Sequence, residues 1–257
     1  MNRKERIRAI KKRIREAGSL QLSNIALEFD VSEMTIRRNL DQILQDSDIQ
    51  LIRGTFLYLP ELSSTEQLPY SLLSASLKNR TAKEKIARTA LSIIDENDDI
   101  LFDAGSTIEV LASILPSQHA GSILCFSYNT LTRILQRHGI DVTITGGRFH
   151  HNSMIFESSE SVQMVQNRRV HKAFMSASGI HKRLGVTCSN EYETALKRAG
   201  VQAAEQRILL VDSSKFASFN HFHFASIEDF DIIITDSSLD DSIKKDFQSL
   251  DADLRIV

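Results

Sequence analysis

The chain is short of cysteine: Cys125 and Cys188 stand far apart, with no C-x-x-C pair among its 257 residues. That excludes a disulfide framework and the paired-thiol zinc and redox motifs. Three prolines and ten glycines are too few for a disordered or fibrous chain. No run approaches the roughly 20 consecutive apolar residues that span a bilayer. No apolar stretch follows the basic start, so no secretory signal and no membrane partner is expected. Internal repeats and low-complexity tracts are missing too. A cytoplasmic protein with reduced thiols is the expectation. What is present is 42% hydrophobic content, enough for a real core in one large domain or two smaller ones.

Charge is unevenly spread. Met1 to Arg15 holds eight Lys or Arg against one acid, Glu5. Residues 1–60 hold 11 basic and 8 acidic side chains, and the remainder 20 and 25. A basic end on a mildly acidic body points to a polyanion partner for that end alone. From Arg3 to Glu16, Ile7, Ile10 and Ile14 recur at helical spacing with Arg and Lys between them. Ala17-Gly18-Ser19 ends this helix. A second short helix carries Leu22, Ile25, Ala26 and Phe29 on one face, and Asp30-Val31-Ser32 breaks it.

Ser32 is placed to cap a third helix, predicted from Glu33 to about Leu44. At about 100° per residue, Ile36, Leu40, Ile43 and Leu44 gather on one side. Arg38 lies almost opposite, flanked by Met34 and Thr35, with Arg37 nearer the edge. A solvated charged face and a face that enters a DNA groove both suit these residues. Two further features favour DNA. The basic first helix can lie against phosphates, and Ile49–Ile52 and Phe56–Leu59 flank Arg53-Gly54 like a hairpin wing. The expectation is a winged helix-turn-helix over residues 1–59, with Ser32, Met34, Thr35, Arg37, Arg38 and Arg53 on the DNA side. Arginine can read guanine through two hydrogen bonds, and threonine can touch a thymine methyl or a phosphate.

"PELSSTEQLP", Pro60 to Pro69, is polar, bounded by prolines and without period, so a linker is expected over residues 60–80. Beyond it, over residues 81–257, helices alternate with short apolar strands. Helices are predicted at Ala82–Ile94, Ile108–Leu115, Tyr128–Gln136 and Tyr192–Ala204. Strands are predicted at Ile100–Phe102, Ile123–Phe126, Val142–Thr145, Ala173–Ser176, Ile208–Val211 and Ile232–Thr235. This is the pattern of an α/β domain with a largely parallel sheet, which binds ligands at the carboxyl ends of its strands. Five polar clusters fall at such ends: "FDAGST", "FSYNT", "TGGRFH", "SASGIH" and "VDSSKF". Any one of them is an ordinary turn; together they suggest one site. In the first, Gly105 allows close backbone approach, while Ser106, Thr107 and a helix N-terminus suit a phosphate. Lys215 is the obvious cation for it, and Asp212 could hold a sugar hydroxyl.

"VSEMTIRRNL" resembles the signature of the DeoR family of bacterial transcriptional repressors, whose members end this helix in R-R-D-L. Asn39 stands where the family has aspartate, and "IRGTF" replaces the glycine pair of its wing. The second half is similar to the family's sensor domain, which shares its fold with ribose-5-phosphate isomerases. The motifs D-x-G-T-T, a serine–asparagine strand end, G-G and D-x-S-K-F appear as Asp103–Thr107, Ser127–Asn129, Gly146–Gly147 and Asp212–Phe216, with Ser106 for the first threonine. The family glutamate after T-T-P-N falls on Glu193 in "TCSNEYETALKR", with Lys197 one turn on. The resemblance implies a repressor of a nucleoside or sugar catabolic operon that binds double-stranded operator DNA and is released by a phosphorylated sugar. "CFSYNTL", "GGRFHHNSMIF" and "SASGIHKRLGVTC" are similar to a member whose effector is deoxyribose 5-phosphate, which makes that sugar the first expectation. The implied effector residues are Asp103, Gly105, Ser106, Thr107, Asn129, Gly146, Gly147, Gly179, Glu193, Asp212 and Lys215. A homo-oligomer is expected, because helix-turn-helix heads work in pairs.

Two rival classes are weighed against this. A sugar-phosphate isomerase with a DNA-binding arm needs a general base, for which Glu193 and Asp212 are candidates; a shared fold alone does not establish it. A metal site on His150, His151, His221, His223 and the cysteines matches no zinc spacing. No enzyme activity, cofactor or metal is expected.

Overall fold

The computed structural model describes residues 3–44, 49–52, 54–58, 72–116, 121–137, 139–248 and 252–257. The chain divides into two compact units, Met1–Pro69 and Tyr70–Val257. The first opens with α1 (Arg3–Ala17), whose isoleucine stripe is buried. Gly18, at φ +70, ends it by donating its N–H to the Ile14 carbonyl, a left-handed stop that glycine adopts without steric cost. Then come β1 (Ser19–Gln21), α2 (Leu22–Glu28), α3 (Glu33–Arg37), α4 (Leu40–Ile43) and the hairpin β2 (Ile49–Ile52) and β3 (Thr55–Tyr58). The strands form an antiparallel sheet in the order β1-β3-β2. Ile10, Ile14, Ile25, Ile36, Ile43 and Phe56 make a wholly buried core. This is the expected winged helix-turn-helix. Arg53 and Pro60–Pro69 lie outside the described residues.

The single third helix predicted from Glu33 to Leu44 is instead two, α3 and α4, parted at Arg38 and Asn39. The cause is local. The Asn39 side-chain amide donates to the Thr35 carbonyl at 2.7 Å, the acceptor its own backbone N–H would use in an α-helix. That N–H turns to Ile36 instead, at 2.9 Å, tightening the chain into a 3₁₀ turn.

The second unit opens with α5 (Leu72–Leu77) and α6 (Arg80–Leu91). Residues 72–80 fall inside the expected linker, yet they pack: Leu72 is buried and its N–H donates to the Asn152 carbonyl at 2.8 Å. A six-residue helix is too short to show a period in the sequence. Next are β4 (Asp99–Phe102), α7 (Ser106–Ile114), β5 (Ser122–Cys125), α8 (Tyr128–Ile134) and β6 (Asp141–Ile144). A hairpin of β7 (Arg148–His150) and β8 (Ile155–Glu157) leads to α9 (Ser159–Gln166), β9 (Val170–Ser176), β10 (Gly179–His181) and β11 (Gly185–Cys188). The chain ends through α10 (Glu191–Ala203), β12 (Ala204–Leu210), β13 (Phe222–Ala225), β14 (Ile232–Thr235), α11 (Asp241–Gln248) and β15 (Asp253–Ile256).

Seven of these strands form a wholly parallel sheet in the order β15-β14-β12-β9-β4-β5-β6. Alternate residues feed two cores, as a period of two requires. Ile100, Phe102, Phe174 and Ile208 pack under Ile86, Ala87 and Leu111 of α6 and α7. Leu101, Ala173, Met175 and Leu209 pack under Val165, Leu196 and Ala199 of α9 and α10. From β4 the chain adds strands outward one way, to β5 and β6, and from β9 the other way. The gap between the carboxyl ends of β4 and β9 is therefore the place where such a sheet opens a ligand crevice. A separate antiparallel sheet, β10-β11-β13, was not legible in the sequence.

Candidate functional site

On the first unit, the Ser32 hydroxyl accepts from the Thr35 N–H at 3.2 Å and lies 3.0 Å from the Thr35 hydroxyl. Ser32 is thus the expected cap. Met34, Arg37 and Arg38 are exposed on the side away from buried Ile36, and Arg37 pairs loosely with Glu33 at 3.7 Å. Met34 is 58% exposed, an apolar side chain left between two cations and a cap. Asn39 is buried and accepts from Arg3 Nε at 2.8 Å, tying the basic first helix to the end of α3.

On the second unit, two small cavities adjoin at the carboxyl ends of β4 and β9, sharing Gly105, Ser176 and Ala177. Each holds about 20 Å³, room for about one water. The first is walled by Ser153, Ser178, Glu193 and Lys197, the second by Ser106, Thr107, Asp212 and Lys215. Helix α5 lines both, through Leu72 in the first and Ala75 in the second. Gly105 stands at the waist with φ +148, and a Cβ there would come 2.5 Å from Ser176 Oγ. No other residue fits that position.

Behind the first cavity lies a buried ion pair, Lys197 Nζ to Asp103 Oδ2 at 2.5 Å. The same Asp103 oxygen accepts from the Ser176 N–H at 2.8 Å and its hydroxyl at 3.1 Å. Burial alone would push the Lys197 ammonium down, but Asp103 and Glu193 outweigh it and hold its pKa above the ordinary value. Burial raises Glu193, against the pull of Lys197 and of the Asn190 amide that donates to it at 2.5 Å. Beside the second cavity, buried Lys83 donates to the Ala75 carbonyl and, at 2.6 Å, to the Lys78 carbonyl, pinning α5. Burial brings its pKa down to about 8; Asp212 resists, while Lys215 and Lys78 add to the fall and Glu109 opposes it weakly.

Of the residues read from sequence, Gly105, Ser106, Thr107, Glu193, Asp212 and Lys215 line these cavities, and Asp103 braces them. The others do not reach them. Asn129, on α8, donates to Glu109 at 3.4 Å, and its Oδ1 is buried with no partner among the described residues. Gly147, just before β7, packs against the end of β8: a Cβ would lie 2.5 Å from the Glu157 carbonyl. Its neighbour Gly146, at φ +75, meets nothing and serves the turn. Gly179 packs on the backbone of Ser218 and Phe219. Asp212 lines the second cavity but also caps the turn after β12, accepting from the Ser214 N–H at 3.2 Å and from Asn79 at 2.9 Å. Sequence reasoning missed Ser153, Lys83 and α5; Ser178 lay within the "SASGIH" cluster, and Lys197 stood one helical turn after Glu193. Among the described residues no three His, Cys, Asp or Glu side chains gather as a metal would need, and no helix is long and apolar enough to cross a membrane.

Residues 6–55 match the model of the DeoR-like helix-turn-helix domain, and residues 78–237 that of the DeoR C terminal sensor domain. The chain is similar to the deoxyribose operon repressor of Escherichia coli K12, with 29% identity over 95% of this chain and 94% of the relative. It is also similar to the putative aga operon transcriptional repressor of Escherichia coli O157:H7, with 26% identity over 91% and 87%. Among solved structures, ribose 5-phosphate isomerase A of Methanocaldococcus jannaschii aligns over 55% of this chain and 56% of its own, with 16% identity and a TM-score of 0.41. That likeness is too distant to argue from.

Proposed function

The chain belongs to the DeoR family, and we propose on that premise that it represses a sugar or nucleoside catabolic operon and leaves its operator when a phosphorylated sugar binds. Deoxyribose 5-phosphate is the first candidate, by the similarity to the deoxyribose operon repressor. The supporting observation is the second cavity. Lys215, the Ser106 and Thr107 hydroxyls and the N-terminus of the nine-residue α7 converge on it, the donor set a phosphate takes. DNA is held by α3, with Arg38, Met34 and Thr35 towards the bases and α1 against phosphates. A homo-oligomer presents two such heads to a paired site.

The cavities' small size sets the mechanism. A sugar phosphate is larger than either cavity, and on this reading its entry displaces α5 from Asn152 and Lys83. Because α5 is the first helix after residue 71, that displacement acts on the chain leading back to the DNA-binding unit. Ligand and operator then favour different positions of α5. By linkage each weakens the other by the same factor, typically about 5–150-fold.

Lys215→Ala tests the reading. Operator binding should stay at the wild-type level while release by deoxyribose 5-phosphate is lost, and unphosphorylated deoxyribose should not release even the wild type. Release of the variant at wild-type sugar phosphate concentrations removes Lys215 from the site. Release by the free sugar removes the phosphate anchor.

A further inference from the structure

The two cavities differ in chemistry in a way that orients a ligand lying across them. The Lys215 cavity offers a cation, hydroxyls and helix N–H groups, and it attracts an anion. In the other, the charge of Lys197 is at least balanced by Asp103 and Glu193, so a phosphate dianion gains nothing there. Hydrogen-bonding capacity is nevertheless left over. Asp103 Oδ1 is fully buried with no partner among the described residues. Two of the three Lys197 N–H groups go to Asp103 and, at 3.1 Å, to the Ser176 carbonyl. The cavity wall adds the Ser178 hydroxyl, which accepts from Ser189 at 2.9 Å, and Ser153, 3.0 Å from the Tyr192 hydroxyl. Neutral groups that donate and accept at once suit such a wall, and sugar hydroxyls do both. A buried polar atom without a partner is costly, and a ligand hydroxyl that reaches it recovers that cost.

We infer that the cavity of Ser153, Ser178, Glu193 and Lys197 receives the hydroxyl-bearing end of the sugar, with Glu193 and Lys197 deciding which sugar is accepted. The phosphate lies in the Lys215 cavity and the ligand passes the waist at Gly105. This rests on the sugar-phosphate reading above and adds a direction to it. Asn129, turned towards Glu109, takes no part.

The experiment uses the full chain and calorimetric titration with deoxyribose 5-phosphate, ribose 5-phosphate and glucose 6-phosphate. Glu193→Gln keeps an acceptor for the Asn190 amide and so protects the fold; Glu193→Ala removes the group. In both, affinity for the preferred sugar phosphate should fall roughly tenfold or more, while the poorer ligands change little, so the ranking flattens. Lys215→Ala should weaken all three and keep their order. If Glu193→Gln binds the panel as wild type does, or weakens all three equally with the order intact, Glu193 does not select the sugar and the inference is overturned. If the wild type binds none of the three, the sugar-phosphate reading falls and takes this inference with it.

Discussion

Arg38 is exposed, follows directly on α3 and belongs to no ion pair among the described residues, whereas its neighbour Arg37 leans on Glu33. Of the two, Arg38 is the arginine at liberty to meet a base edge. Arg38→Ala is expected to cost about 1–3 kcal/mol on operator DNA and less on random DNA. Fluorescence anisotropy with both duplexes checks this, and equal losses on the two would make Arg38 a phosphate contact only. Ser32, whose work as a cap is set by its immediate neighbours, was readable in advance. Gly147 and Gly179 were not. Each is small because a distant backbone passes it, at Glu157 and at Ser218, and no local pattern announces a distant neighbour.

Between α3 and α4 a single side chain does what neither propensity nor periodicity suggests. Asn39 both donates to Thr35 and accepts from Arg3, so the break in the helix and the seating of α1 share one residue. Asn39→Ala loses both bonds and is expected to destabilise the first unit by about 1–3 kcal/mol. Asn39→Asp restores the residue usual in the family. It keeps the acceptor for Arg3 and loses only the donor to Thr35, so its loss should be smaller. Urea unfolding of the two variants decides, and equal losses would mean that the Thr35 bond is the one that matters. The long helices were legible because each repeats its pattern several times, and the central strands because each carries a run of apolar residues. Helix α5, the β7–β8 hairpin and the β10-β11-β13 sheet are three to six residues each, too short for a period to rise above chance.

The two units divide the charge as well as the chain. The basic stretch belongs to the first and the two cavities lie wholly in the second. A fragment from Tyr70 to Val257 is therefore expected to fold and to bind a sugar phosphate without binding operator DNA. A fragment begun at Ala82, where sequence alone places the first helix, lacks α5, Asn79 and the carbonyls that hold Lys83. It should melt lower and bind more weakly. Equal melting temperatures and affinities for the two fragments would show that α5 is no part of the binding unit. The boundary was misplaced for a physical reason. Prolines and polar residues mark where a helix cannot run, but they do not mark where packing resumes, and Leu72 alone gives little sign that it is buried.

Lys83 has a use for its proton as well as for its hydrogen bonds. A neutral amine still has two N–H groups, enough for the Ala75 and Lys78 carbonyls, so loss of the proton near pH 8 removes charge and leaves the pin. A phosphate dianion arriving beside Lys215 favours the charged form and raises the Lys83 pKa from about 8. Binding at that pH must then draw protons from the buffer, up to about half of one per site, and affinity should decline as pH rises through 8. The heat of binding should differ between Tris and HEPES in proportion to their ionisation enthalpies, and Lys83→Met should abolish the difference. Buffer-independent heats in the wild type at pH 8 would show that the ligand's charge never reaches Lys83. Otherwise, the effector's grip on the repressor tracks the alkalinity of its surroundings as well as the supply of sugar.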